Sequence, residues 1–346
     1  MDEPPLLELR GVSKRFVKAP DAAAKVARAL GAGVREEVVH AVDGVDLAIR
    51  QGEVVGLVGE SGCGKSTLGR LAVGLHAPTA GQRFWRGRDV AELPAEEQRR
   101  VQLAIQMIFQ DPYASLNPRM RVQDAIGEAP LIHGLVTRDA QRDYVAGLLE
   151  RVGLDRSLMR RFPHQFSGGQ RARIGIARAL AVKPEFLVCD EAVAALDVSI
   201  QAQVLNLFVQ LRESLGLTYL FISHDLGVVR HLSDRVVIMY LGRVVETAPT
   251  EEIYSRPNHP YTQALLAEVP RLDLRRKQFV AIRGEIPSPL APPPGCHFHP
   301  RCPHAMPRCK IERPALREIA PAQLSACHLN DAPADSPAPS LTEVST

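Results

Sequence analysis

The sequence predicts an α/β fold with a mostly parallel, doubly wound sheet. Short apolar runs of strand length alternate with segments of helical periodicity, as in sheets whose parallel strands are joined by helices. The predicted strands are Glu53–Val58, Ala104–Phe109, Phe186–Cys189, Thr218–Ile222 and Val236–Tyr240. The length of 346 residues predicts about two domains at roughly 150 residues each. A content of 45% hydrophobic and 23% charged residues is that of a globular protein and not of a disordered one.

Charge and hydropathy exclude several classes of protein. The net charge of +3 is too small to predict nucleic-acid binding. No apolar run approaches the roughly 18 residues that a membrane helix needs. The opening residues Met1–Pro5 lack the basic start and apolar core of a signal peptide. We therefore expect a cytosolic chain that does not cross a bilayer and that has no disulfides.

Four segments interrupt the regular alternation. Residues 17–40 are rich in Ala and charge and divide a strand-rich opening, so we expect an insertion there. Residues 112–165 are mostly helical and predict a helical subdomain inserted into the α/β core. Residues 287–295 are rich in Pro and predict a stiff linker. Residues 331–346 have few apolar side chains and predict a disordered tail.

A glycine-rich segment follows the strand at Glu53–Val58 and precedes a helical pattern. It fits the phosphate-binding pattern G-x-x-x-x-G-K-[ST], whose backbone N–H groups surround phosphate at a helix N-terminus. Lys65 would neutralise the β- and γ-phosphates, and the Ser66 hydroxyl would bind Mg²⁺. A chance match in a chain of this composition is on the order of one in a hundred. The segment consists of Gly59, Glu60, Ser61, Gly62, Cys63, Gly64, Lys65, Ser66 and Thr67.

Two acidic residues end the apolar strand that starts at Phe186. Asp190 at the strand end is suited to the Mg²⁺ shell. Glu191 is the candidate general base for an attacking water. A solvated acid at a strand end is the alternative, and the phosphate-binding motif makes it the weaker one. The pair therefore predicts nucleotide hydrolysis.

A Ser-Gly-Gly-Gln segment lies between these two motifs. With it the chain resembles the ATP-binding subunit of an ABC transporter, whose signature contains that sequence. The residues that carry the resemblance, in chain order, are Gln110, Ser167, Gly168, Gly169, Gln170, Asp190, Glu191, Ala194–Asp197 and His224. The chain departs from the family at Phe166, where Leu is usual, and at Ala192 and Ala194, where Pro and Ser are usual. We expect these departures to tune a subunit contact without loss of chemistry.

The resemblance implies a P-loop NTPase cassette over residues 1–255, with the helical subdomain at about 112–180. It implies that ATP binds at the glycine-rich segment and that Mg²⁺ contacts Ser66, Gln110 and Asp190. His224 would contact the γ-phosphate. Two ATP molecules would be sandwiched between two such chains, each completed by the partner's signature.

The same resemblance implies an aromatic side chain stacked on adenine. Phe16 is the candidate, because the family places an aromatic on an early strand. A lone Phe in a predicted strand is more often a core residue, and this alternative stays open.

Two further stretches resemble the oligopeptide/dipeptide importers, to which nickel importers are related. They are Gln110–Arg119 and the module from Asn258–Thr262 through Gly284–Pro289 to the C-terminal cysteines. This implies a C-terminal module at 256–330 and a peripheral position at the cytoplasmic face of the membrane. The implied partners are a second ATPase chain, related or identical, two permease subunits and an extracytoplasmic binding protein, but no nucleic acid. Import of nickel or another small solute is the alternative.

Four of the six cysteines lie near the C-terminus. Four thiols are the number that a 4Fe–4S cluster requires, and the resemblance favours one at Cys296, Cys302, Cys309 and Cys327. Zinc is an alternative because His297, His299, His304 and His328 are interleaved with them. Four free buried cysteines are the third possibility. Cys63 and Cys189 are expected to be small packing residues.

A cytosolic ABC ATPase that acts on nucleic acid is the rival class. Such proteins typically carry two cassettes or a long coiled coil, and this sequence has neither. The sequence therefore favours a transport ATPase.

Overall fold

The computed structural model describes residues 4–17, 37–111, 115–268 and 284–331. Most of the predicted insertion at 17–40 and nearly all of the predicted tail at 331–346 lie outside these residues. So do residues 112–114 of the stretch that resembles the peptide importers. Among the described residues, no helix has the length and hydropathy needed to cross a membrane.

The larger sheet forms the centre of the molecule and confirms the predicted α/β class. Its strands are β3 (Val54–Val58), β6 (Ile105–Ile108), β7 (Phe186–Asp190), β8 (Thr218–Ser223), β9 (Arg235–Tyr240), β10 (Arg243–Pro249), β11 (Arg317–Ala320) and β12 (Gln323–Ser325). They lie in the order β11-β12-β10-β9-β3-β8-β7-β6, with five parallel strands from β9 to β6 and antiparallel strands on one side of them. Strands β3, β7 and β8 are buried at every position. Parallel strands covered on both faces are expected to be continuously apolar, as these are.

A second, antiparallel sheet packs over the first. It contains β1 (Leu7–Val17), β2 (Val38–Ile49), β4 (Ala80–Trp85) and β5 (Arg88–Asp89), in the order β2-β1-β4-β5. Its apolar side chains and those of the larger sheet share one hydrophobic core, as Leu7, Val55 and Leu57 illustrate. The alternation along the sequence predicts the parallel sheet but not this antiparallel layer.

Helices cover the other face and form a lobe between β6 and β7 in the chain. The lobe contains α3 (Val122–Ile132), α4 (Gln141–Arg151) and α5 (Gly168–Leu180), which contact one another. Phe166, where the family usually has Leu, is 5% exposed in the core that joins the lobe to the sheet. The α-helices are α1 (Lys65–Val73), α2 (Ala95–Ala104), α3 (Val122–Ile132), α4 (Gln141–Arg151), α5 (Gly168–Leu180), α6 (Val198–Leu215), α7 (Leu226–Leu232), α8 (Thr250–Ser255) and α9 (Pro260–Ala267).

The C-terminal residues extend the larger sheet. The β11–β12 hairpin pairs with β10 through Glu246↔Ser325 and Thr247↔Leu324. Behind it, the rings of Tyr240, Tyr261 and Phe298 meet with centroids 4.7 to 5.3 Å apart. The described residues of the predicted C-terminal module, 256–268 and 284–330, therefore pack against the core.

Candidate functional site

The glycine-rich segment wraps the N-terminus of α1 at the carboxyl end of β3. Gly64 is the N-cap residue, with a φ of 106°. A Cβ atom at Gly64 would lie 2.1 Å from the carbonyl oxygen of Ala41, and one at Gly59 would lie 2.1 Å from that of Met239. Real Cβ atoms do not approach a carbonyl so closely, so both positions require glycine. The loop is thereby pressed against β2 and β9.

The side chain of Lys65 lies along the glycine-rich segment and reaches back to its first two residues. It is 4% exposed, and its Nζ donates to the carbonyl oxygens of Gly59 at 2.7 Å and Glu60 at 3.0 Å. Because its aliphatic chain is buried and its charge is held by two carbonyls, the ammonium group is fixed at the mouth of the loop. This is the position from which it can meet phosphate oxygens.

Ser66 and Asp190 provide neighbouring oxygen atoms. The Ser66 hydroxyl donates to Asp190 Oδ1 at 2.8 Å. Burial raises the pKa of the Asp190 carboxyl, and the Ser66 hydrogen bond offsets part of this effect. A hydroxyl and a carboxylate next to a phosphate loop are the oxygen donors that Mg²⁺ prefers, so these residues fit the predicted ion. Mg²⁺ bound there would neutralise part of the negative charge of the phosphates.

Glu191 connects two other motifs. Gln110 Nε2 donates to Glu191 Oε2 at 2.7 Å, and His224 Nδ1 lies 3.4 Å from Glu191 Oε1. The Glu191 side chain is 12% exposed, whereas that of His224 is 55% exposed. The carboxylate therefore stands partly shielded between an amide and an imidazole. The sequence predicted all three residues but not that they would touch.

The topology explains why these residues meet. The glycine-rich segment follows β3, His224 follows β8, Asp190 ends β7 and Gln110 lies two residues after β6. The four strands are parallel neighbours, so their carboxyl ends meet at one edge of the sheet.

A cavity of about 360 Å³ opens above this edge. Phe16 and Val39 lie on its wall together with Lys65, Ser66 and Glu191. Phe16 is 37% exposed, and its ring meets that of His76 edge-on at 5.4 Å. Its place on the cavity wall suits the predicted adenine contact, which stays a prediction. The full lining is Phe16, Val39, Ala41, Ser61, Gly62, Gly64, Lys65, Ser66, Thr67, Gln110, Glu191 and Pro289.

The Ser-Gly-Gly-Gln segment lies elsewhere in the chain's own fold. It begins α5, where Ser167 Oγ accepts from Gln170 N at 3.3 Å and Gln170 Oε1 accepts from Ser167 N at 3.1 Å. Gly169 packs against Ile200 of α6. None of the residues 167–170 lines the cavity next to the phosphate loop. One chain thus keeps its helix N-terminus apart from its own phosphate loop.

The C-terminal cysteines lie close together without forming a metal site. Cys296 N donates to the carbonyl oxygen of Cys309 at 2.8 Å. Burial, with a smaller effect of the neighbouring thiols, raises the pKa of Cys302 and of Cys327 to about 11. Within the described ranges, no three His, Cys, Asp or Glu side chains are arranged to hold a metal ion. The geometry therefore does not support the predicted 4Fe–4S cluster.

The zinc alternative has no better support, because interleaved histidines are engaged elsewhere. His328 binds Asp331 and the carbonyl oxygen of Glu312, each at 3.0 Å. His297 Nδ1 bonds to the carbonyl oxygen of Leu241 at 3.0 Å. Both metal assignments stay predictions. Cys63 and Cys189 are buried, as expected of packing residues.

Comparison with known proteins agrees with this geometry. Residues 42–194 match the family described as ABC transporter. The oligopeptide transport ATP-binding protein AppF of Bacillus subtilis is 51% identical over 328 residues, which cover 94% of this chain and 97% of that relative. The chain belongs to the ATP-binding proteins of ABC transporters. As a member of this family it is an ATPase, for which ATP and Mg²⁺ are the expected ligands.

Other comparisons concern the kind of ABC transporter whose ATPase this chain resembles. Residues 245–309 match the family described as oligopeptide/dipeptide transporter, C-terminal region. OppF of Salmonella typhimurium, an oligopeptide transport ATP-binding protein, is 52% identical over 285 residues, which cover 81% of this chain and 85% of OppF. The match at 245–309 includes Cys296, Cys302 and Cys309 but not Cys327.

Solved structures show the same cassette. The ATP-binding cassette MJ0796, as a dimer in a post-hydrolysis state with ADP and Pi, is 27% identical with a TM-score of 0.59. The similarity covers 70% of this chain and 98% of MJ0796. CbiO1 of Clostridium perfringens, part of an ABC transporter complex, is 26% identical with a TM-score of 0.59, over 73% of this chain and 92% of CbiO1.

Proposed function

We propose that this ABC ATPase powers the import of dipeptides or oligopeptides. The observation that carries the proposal is the match of residues 245–309 to the C-terminal region of oligopeptide/dipeptide transporters. Relatives at about half identity over most of the chain are named as oligopeptide transport ATP-binding proteins. The proposed place of the chain is the cytoplasmic face of the membrane, against two permease subunits that receive peptide from an extracytoplasmic binding protein.

The positions of the side chains support the catalytic roles that we propose. Lys65 and the N–H groups of the loop bind the phosphates. Glu191 takes a proton from a water molecule, whose oxygen forms a bond to the γ-phosphorus while the bond to the β–γ bridging oxygen breaks. His224 supports the γ-phosphate as charge develops, and Gln110 orients Glu191. Mg²⁺ bound at Ser66, Asp190 and Gln110 would supply charge neutralisation.

The second half of each site comes from another chain in this proposal. Residues 167–170 begin a 13-residue helix, whose N-terminus attracts anions. They do not line the chain's own cavity. A related ATPase, or a second copy of this chain, would therefore present its Ser-Gly-Gly-Gln segment to the ATP held here. Hydrolysis removes the charge that holds the two chains together.

Uptake by cells that lack the chain tests the proposed cargo. Cells that regain the wild-type chain are expected to take up labelled dipeptides and pentapeptides, whereas cells with Lys65→Ala are not. Labelled nickel is measured in parallel, and Lys65→Ala protein must accumulate normally. Lys65-dependent uptake of nickel without that of any peptide would contradict the proposal.

A 4Fe–4S cluster at Cys296, Cys302, Cys309 and Cys327 is a separate proposal that rests on the resemblance alone. In the chain by itself, Cys302 and Cys327 are neutral thiols at pH 7, since their pKa values are raised to about 11. A cluster would have to bind them as thiolates and displace those protons. Anaerobic purification followed by iron, acid-labile sulfide and zinc analysis tests the proposal. Zinc without iron, or neither metal, would contradict it.

A further inference from the structure

Glu60 is the second residue of the phosphate loop, and each of its polar groups is occupied. Its backbone N–H donates to the Tyr261 hydroxyl at 2.9 Å. Its carbonyl oxygen accepts from Lys65 Nζ at 3.0 Å and from Cys63 N at 3.3 Å. Its carboxylate accepts two hydrogen bonds from Arg301, at 2.7 and 2.9 Å. Two of these partners, Tyr261 and Arg301, belong to the C-terminal module.

Arg301 holds the Glu60 carboxylate in a buried ion pair. Its side chain is 5% exposed, and the ion pair is bidentate, which is the strongest and most directional geometry for a guanidinium and a carboxylate. The Glu60 carboxylate raises the pKa of Arg301 above its ordinary value. Arg301 Nη1 also lies 3.5 Å from the hydroxyl of Tyr240, within the ring cluster of Tyr240, Tyr261 and Phe298.

The module touches the same site at a second point. The carbonyl oxygen of Pro289 accepts from His40 N at 3.0 Å, and Pro289 lines the nucleotide cavity beside Val39. The segment predicted as a stiff linker is thus part of the cavity wall. The C-terminal module therefore contacts the phosphate loop through Arg301 and the cavity wall through Pro289.

We propose that Arg301 is a positioning residue for ATP, through which the C-terminal module sets the affinity of the phosphate loop. Arg301 holds Glu60, and the Glu60 carbonyl oxygen holds Lys65, the residue that meets the phosphates. Release of the carboxylate frees the loop to move, so that ATP binding must order it again. The inference rests on ATP binding by this chain, and it does not depend on which solute is transported.

Equilibrium binding of a fluorescent ATP analogue with Mg²⁺ to the full chain tests this proposal. We expect Arg301→Met to raise Kd about tenfold. Arg301→Lys, which keeps the charge without the bidentate geometry, is expected to give an intermediate Kd. The double variant Glu60→Gln/Arg301→Met should have a Kd no more than about twofold above that of the single variant that binds more weakly. Both changes break the same ion pair, so their effects should not add.

Arg308→Met is the matched control. Arg308 lies in the same module and pairs with Glu312 at 2.6 Å, so its loss tests the module without touching the loop. Its Kd is expected to equal that of the wild type. Thermal unfolding without nucleotide compares the folded fractions of all variants, and Arg301→Lys carries the test if Arg301→Met does not fold.

The outcomes separate the inference from the proposed function. Wild-type Kd in folded Arg301→Met or Arg301→Lys, or additive losses in the double variant, would overturn the inference and leave peptide import untouched. Failure of the wild-type chain to bind the analogue would overturn both. Equal weakening by Arg308→Met would show a structural effect of the module and would also overturn it.

Discussion

Glu191 has a left-handed backbone, with a φ of 48°, immediately after the buried strand β7. Few residues other than glycine adopt this conformation, and such strain is most common at functional sites. It turns the chain so that Glu191 N donates to the carbonyl oxygen of Ile222 at 3.0 Å. The carboxylate then lies between Gln110 and His224. At the scale of single residues, the position of the Glu191 carboxylate thus depends on an unusual backbone conformation.

Gly64→Ala tests this dependence in the phosphate loop. The new Cβ would collide with the Ala41 carbonyl oxygen at 2.1 Å, at a φ of 106°. We expect the loop to shift and the Kd for ATP to rise by a factor of about ten or more, measured by equilibrium binding.

Gly52→Ala is the control for that change. Gly52 lies outside the phosphate loop and the cavity lining and also has a positive φ, of 73°, but a Cβ there would meet no atom within 4 Å. Only backbone strain of about 1 kcal/mol should remain, so ATP binding should change far less. Equal losses in the two variants would refute the steric explanation.

At the scale of elements, α9 joins the C-terminal module to the core. Its N-cap is His259, whose Nδ1 accepts from Tyr261 N at 3.1 Å. His259 is 1% exposed, and burial lowers its pKa to about 4. The folded state therefore holds a neutral imidazole, whereas the unfolded chain takes up a proton below the ordinary pKa near 6.5.

The lowered pKa of His259 makes the stability of the folded chain depend on pH. The folded pKa lies below the unfolded one, so the stability from neutral His259 is complete above pH 6.5 and is lost as the pH falls towards 4. At pH 5 the loss is on the order of 2 kcal/mol. His259→Asn keeps an N-cap acceptor without a titrating group. Denaturant unfolding at pH 7 and pH 5 should show a smaller loss for His259→Asn, and an unchanged pH dependence would contradict this account.

The elements that bear the site were predictable from local sequence, and their contacts across the chain were not. Val54–Val58 and Phe186–Asp190 agree with the predicted strands within a residue or so, because buried parallel strands are continuously apolar. The glycine-rich segment has a pattern fixed by phosphate geometry. The Arg301–Glu60 ion pair joins residues 241 positions apart, and no local pattern marks such a partner.

At the scale of the whole molecule, one chain contains one phosphate loop and one Ser-Gly-Gly-Gln segment at separate places. In the described residues, the C-terminal module adds strands to the core sheet and contacts the phosphate loop. The predicted boundary at residue 256 lies between α8 and α9 and stays a prediction. We propose that turnover in the assembled pair depends on Glu191.

The most direct test of this account is Glu191→Gln in the purified chain with its ATPase partner. The amide cannot take a proton from water, so we expect ATP binding to be retained and hydrolysis to fall by roughly 100-fold or more. Glu185→Gln is the control, because Glu185 precedes the same strand at its far end and pairs with Arg86. It should hydrolyse ATP at the wild-type rate. Wild-type hydrolysis by the Glu191→Gln pair would contradict the assignment of Glu191 as the general base.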